Sequence, residues 1–271
     1  VSISESEDCG RRGISPAEVT RATIRIAEIM TCNGVALTFG HDWRPEGVMD
    51  SLYAYVRHSH LKATPFITNY LAWPDTPQLS QAAQTALRPA VQIVSVGLPG
   101  DVAAAKRSRS PGRDRFLRVR ALTHMRRTMS DRTSAQLCIG GRVSGYQGRW
   151  PGVIEEAFIA SVRGKPLYVS EVFGGAAAEA VAALRHRRVR RRSTPSPDLV
   201  AAFERFGRGR SANYRLDLDV AMRRFESFGV TGLSRTNGLT VTENRQLLAA
   251  GSIDTVCALV LRGLANLREP G

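Results

Sequence analysis

Residues Gln136 to Ala176 read QLCIGGRVSGYQGRWPGVIEEAFIASVRGKPLYVSEVFGGA, and the fold is decided here. Gln136 to Ile139 is a short apolar run that predicts a buried strand, ending at Gly140-Gly141. A glycine-rich loop follows as far as Pro151, whose fixed φ suits the first turn of a helix. Glu155, Glu156, Ala157, Ile159, Ala160 and Val162 continue at helical spacing. Lys165-Pro166 ends that helix, and Leu167 to Ser170 predicts the next strand. The result is a βαβ unit whose loop lies at the carboxyl ends of the strands, where open α/β sheets bind ligands. Glycines there let the backbone approach a phosphate, and the helix start offers free N–H groups and a positive dipole end. A second pair, Gly174-Gly175, strengthens the reading.

The chain before this unit repeats its logic. Val1 to Ser4 alternates like a half-buried strand and runs into an acidic turn, Glu5 to Asp8. Ser15-Pro16-Ala17-Glu18 is a capping box with proline at the first helical position. Behind it, Val19, Ala22, Ile26, Ile29 and Met30 share one helical face, and Asn33-Gly34 stops the helix. Val35 to Phe39 predicts a strand that delivers Gly40, His41 and Asp42 at its carboxyl end, with ligand contact or local capping as their two readings. Val48, Leu52, Tyr55 and Val56 mark a further amphipathic helix. Phe66–Ala72 and Val91–Gly97 predict two more strands around a helical pattern at Gln78–Leu87, and Phe116–Met129 a helix carrying His124, Arg126 and Arg127. After Gly174-Gly175 an alanine-rich helix runs to about Arg185, followed by helices at 199–206 and 216–228, one opened by the capping box Thr240-Val-Thr-Glu243 and running through Leu248, and one at 253–264. The fold class predicted is a doubly wound parallel α/β sheet, Rossmann-like, with extra C-terminal helices. One domain spans 1–271; residues 185–197 read as a basic mobile connector and 198–271 as a helical part of the same domain.

Net charge is +14, and much of the excess lies in Lys106–Arg120 and Arg185–Arg192. Solvated loops and a polyanion-binding surface are the two readings, and the first is favoured because stacking aromatics are not interleaved. The four cysteines show no C-x-x-C pair, so neither a zinc site nor a disulfide framework is expected. Cys32, Cys138 and Cys257 sit in apolar patterns and are expected in the core. No stretch is apolar enough to span a membrane, and a cytoplasmic location is expected. Val in first place points to a processed product or a domain cut from a longer chain.

These residues resemble the SLOG superfamily, over most of the chain. The superfamily includes LOG-type cytokinin-activating phosphoribohydrolases, the single-strand-binding DNA-processing protein A, and nucleotide-sensing domains found beside Sir2 and TIR domains. Val1-Ser-Ile-Ser4 is similar to the family's first strand and serine-containing turn. Gly34 to Gly40 with Gly47-Val-Met49 resembles the LOG strand, Gly-Gly and Gly-Leu-Met. Arg126-Arg127-Thr-Met129 resembles Arg-Lys-x-x-Met, and Lys165-Pro166 matches the Lys-Pro before the next strand. Gly140-Gly141 with Gly152-Val-Ile-Glu-Glu156 resembles Pro-Gly-Gly-x-Gly-Thr-x-x-Glu. Roughly ten residues, Arg142 to Pro151, are inserted within that motif. Val153 replaces the phosphate-binding Thr, and Ile139 the Pro. The long form looks like the TIR- and Sir2-associated type.

That resemblance implies a sensor of a nucleotide or an NAD- or ADP-ribose-derived signal in bacterial defence or stress signalling, with no cofactor required and no metal. Its ligand-binding residues would be Ser4, Gly40, His41, Asp42, Arg126, Gly140, Gly141, Arg142, Ser144, Gly145, Gly148, Arg149, Gly152, Glu155, Glu156, Gly174 and Gly175. The implied partners are a second copy of the chain and a TIR, Sir2 or other effector domain. The alternative is a LOG-like N-glycosidic hydrolase of nucleoside monophosphates using Glu156 and Arg126. A second alternative is single-stranded DNA binding, promoted by a steep salt dependence that needs Arg187 to Arg192.

Overall fold

The computed structural model describes residues 1–40, 48–58, 66–75, 85, 88, 91–102, 110–187, 192–207 and 216–268. His41 and Asp42, and nearly all of the helical pattern at 78–87, lie outside the described residues. Among the described residues six strands run in chain order: β1 Ser2–Ser4, β2 Leu37–Gly40, β3 Ile67–Ala72, β4 Val91–Val96, β5 Gln136–Gly140 and β6 Leu167–Ser170. The helices that bear on the site are α1 Glu7–Arg11, α2 Pro16–Cys32, α3 Val48–His58, α4 Pro111–Arg132, α5 Gly152–Val162 and α6 Gly175–Leu184. Four more follow: α7 Pro197–Phe206, α8 Asp219–Thr236, α9 Val241–Leu248 and α10 Ile253–Asn266.

Among the described residues every strand pairing is parallel, in two three-stranded sheets ordered β1-β5-β6 and β2-β3-β4. The two meet where the Val1 backbone nitrogen donates to Thr38 O at 2.6 Å. In the first sheet β1 lies beside β5, its register pairing Ser4 with Gly140. Chain order breaks at that pair, which makes the ends of β1 and β5 the switch point at whose crevice doubly wound sheets take their ligands. Helices cover both faces, and the strands alternate accordingly. Leu137, Ile139 and Tyr168 pack with α2 and α10, whereas Cys138, Leu167 and Val169 pack with α5, α6 and α8. This is the near-continuous apolar character of a strand buried on both sides.

The capping signals hold. Ser15 accepts from Glu18 N while the Glu18 carboxylate accepts from Ser15 N, and Thr240 with Glu243 does the same at the start of α9. Two expectations are corrected. Cys32 is exposed, because the buried stripe of α2 runs through Val19, Ala22, Ile26 and Met30 and turns the last residue outward. The second half of the first basic run is no loop: Ser110-Pro111 opens α4, and its arginines have structural partners. Arg120 is buried and donates to Asp101, Arg118 grips Asp75 with two nitrogens, and Arg115 donates to Tyr146 O.

Candidate functional site

The crevice between β1 and β5 is walled by the loop at 141–151, by the N-terminus of α1 and by the N-terminus of α6. Gly140 adopts φ +65°, and a Cβ there would stand 2.3 Å from Ser4 O. Only glycine allows the two strand ends to approach this closely while the chain turns out of the sheet. Gly141 N then donates to Ser4 O, and Gly141 O accepts from Ala176 N, which ties the loop to the end of β1 and to the first turn of α6.

The inserted segment is held mainly by charge. Glu155, fully buried, accepts from Thr123 Oγ1 at 2.7 Å, Arg126 Nη1 at 2.5 Å and Arg149 Nε at 2.7 Å. Burial pushes its carboxyl up, but Arg126, Arg149 and Thr123 outweigh that and hold it below the usual carboxylate range. Arg149 also lies over the Trp150 ring at 4.0 Å, and Trp150 packs edge-on against Phe158 and donates to Leu216 O. Small residues make room for this cluster. A Cβ on Gly148 would lie 2.5 Å from Arg126 Nη1, and one on Gly152 would lie 2.9 Å from Nη2. Glu156 points toward the opposite end of the strand, to Gln136 Nε2 at 3.1 Å, with Arg126 Nε at 3.7 Å. Burial pushes its carboxyl upward against the pull of Arg126.

Arg126, Arg149, Glu155, Glu156, Gly148 and Gly152 are thus brought together, but under the loop rather than on its outer side. Arg142, Ser144 and Gly145 are exposed at its tip. Among the described residues the Arg142 guanidinium has no ion pair. Gly40 ends β2 beside Met125 and Met129 of α4.

The loop's amides do hold an anion. The Glu7 carboxylate, at the first turn of α1, accepts from Val143 N at 2.9 Å, Ser144 N at 2.9 Å and Ser144 Oγ at 2.7 Å. Burial raises this carboxyl, and the three donors more than offset it, so it lies below its ordinary range. Next to it, Asp8 accepts from Gly175 N at 2.8 Å, at the start of α6, and from both terminal nitrogens of Arg192. The Arg192 guanidinium draws the Asp8 carboxyl down to about 2. Arg192 N and Ser193 N also donate to Glu179, so the far end of the second basic run is anchored over α6. Glu7, Asp8 and Arg192 were missed from sequence. Their one signal is the acidic turn Glu5–Asp8 directly after β1, in the position where a helix start normally faces a ligand.

No helix among the described residues is long and apolar enough to cross a membrane. Comparison with curated proteins and with solved structures finds no match for the chain. A family model described as SLOG cluster2 matches residues 1–247. That span runs from β1 through most of α9 and includes the whole crevice, so the chain is a Rossmann-like, nucleotide-related domain and belongs to the SLOG superfamily.

Proposed function

We propose that the protein is a nucleotide-binding sensor whose ligand, a nucleotide or an NAD- or ADP-ribose-derived signal, seats a phosphate on the amides of Val143 and Ser144. One observation carries this reading: those two amides and the Ser144 hydroxyl converge on a carboxylate at 2.7–2.9 Å. Three donors in a concavity at a sheet switch point form an anion seat, and a phosphate brings more acceptor oxygens to it than Glu7 can. Arg142, exposed beside the seat, supplies the compensating charge. Arg126, Arg149, Glu155 and Glu156 serve to hold the loop in shape.

Binding is favoured over hydrolysis because both glutamates of the motif are committed to interior donors. N-glycosidic cleavage needs a carboxylate at the ribose. Signalling in bacterial defence or stress, through a second copy or a TIR or Sir2 effector, extends the same proposal from the family resemblance. The test is a thermal-shift panel of AMP, NAD and ADP-ribose, followed by chromatography for free base. A ligand that binds only the folded state raises the melting point. The expected result is a rise with ADP-ribose and no released base. No rise with any member, or base released at a catalytic rate, refutes the reading.

A further inference from the structure

A second concavity lies well away from the crevice, where the C-terminus of α6 meets the middle of α8 and the end of α9. This half-open cleft has a volume of about 820 Å³, the size of pocket that takes a single small ligand. Its existence depends on Gly229. With φ +56° and ψ −175°, Gly229 breaks α8 in a conformation open to almost no other residue. A Cβ there would approach His186 Nε2 to 3.3 Å.

The walls are strongly cationic: Arg185, Arg187 and Arg245 line the space, against the single carboxylate of Glu226. Arginines at helix ends often serve only to offset the carbonyl pole. Arg185 does so, donating to Arg245 O at 2.9 Å and standing 3.7 Å from Glu171. Arg245, in the last turn of α9, also lies at a carbonyl end, and Arg187 lies just past that of α6. Both are exposed, and neither guanidinium has a partner among the described residues. The half-buried Phe228, whose ring has the Arg224 guanidinium 5.1 Å from its centroid, supplies one aromatic wall, and Ser227 and Thr231 line the same space.

We infer that this cleft is a second binding site for a phosphorylated ring compound of the nucleotide class, with Arg187 and Arg245 on the phosphates and Phe228 beside the ring. Two guanidiniums without carboxylate partners, facing one concavity, match the paired oxygens of a phosphate. A single aromatic at a half-open cleft suits one base, whereas single-strand binders track a polymer along a groove with successive stacking rings. The site is independent of the Val143–Ser144 seat and survives if that proposal fails.

The test is fluorescence anisotropy of methylanthraniloyl-ADP on the full chain, competed with inorganic pyrophosphate. The variants are R187A/R245A and the charge-retaining R187K/R245K, each made in the Arg142→Ala background so that the Val143–Ser144 seat is weakened in every sample. R187A/R245A should weaken binding by at least about tenfold relative to that background, the loss expected of one charge-assisted hydrogen bond. R187K/R245K should recover part of it, and pyrophosphate should compete. Undiminished affinity in R187A/R245A, no binding to the wild type into the millimolar range, or competition by single-stranded DNA but not by mononucleotide overturns the inference.

Discussion

Replacing Glu155 with Gln tests what holds the inserted loop. The substitution keeps the volume and a partner for Thr123 but deletes the one negative charge lying between Arg126 at 2.5 Å and Arg149 at 2.7 Å. Arg126 and Arg149 are 9% and 4% exposed, so water cannot replace the carboxylate. Glu156, 3.7 Å from Arg126 Nε, recovers only part of the interaction. Removing one partner of a buried pair costs about 3–5 kcal/mol, against a total stability of about 5–15 kcal/mol for a domain. For a chain of this length that lowers the melting point by about 6–20 °C.

Urea unfolding followed by tryptophan emission is the assay, and Trp150, stacked under Arg149, reports the loop directly. The pH dependence supplies a second readout. Because the folded pKa of Glu155 is depressed, its contribution is present above the unfolded pKa and is lost as pH falls through the folded value. The gap between wild type and Glu155→Gln should therefore close toward acid. A loss below about 1 kcal/mol at neutral pH with an unchanged denaturant slope, or a gap that widens in acid, refutes the reasoning.

Asp8→Asn should cost about 1 kcal/mol or less at neutral pH, since Arg192 is partly exposed and the pair is screened. The Asp8 carboxyl titrates near 2 in the fold, so that difference should vanish in melts taken as pH falls from the ordinary carboxylate range toward 2. Gly148→Ala places a methyl 2.5 Å from Arg126 Nη1 and should destabilise by about 1–3 kcal/mol through overpacking, read by urea unfolding. Arg142→Ala should leave the unliganded melting point within about 0.5 kcal/mol of wild type while shrinking the thermal shift with ADP-ribose.

The sheet unit was legible because its signals are local. An apolar run, a glycine pair, a proline and a helical pattern fell within 41 consecutive residues, and the two capping boxes each span four. The glutamate pair was legible as a feature of α5, but its direction was not. Which way Glu155 points depends on Thr123 and Arg126 from α4, fixed only when that helix packs against α5. Glu7 lies 136 residues from Val143, and no periodicity links a carboxylate in one turn to amides in another. Charge runs misled for a related reason. A count of arginines does not distinguish Arg120, buried at Asp101, from Arg142, free at the loop tip.

On the proposed reading, the amides of Val143 and Ser144 are a phosphate seat that Glu7 holds until a ligand arrives. Glu7→Gln removes the competing charge and leaves the donors in place. Titration calorimetry of ADP-ribose into both proteins is the direct measurement. The variant should bind about tenfold more tightly than wild type, the worth of one charge-assisted contact no longer displaced. Equal or weaker affinity in a variant that melts like wild type, or no binding to either protein, contradicts the account.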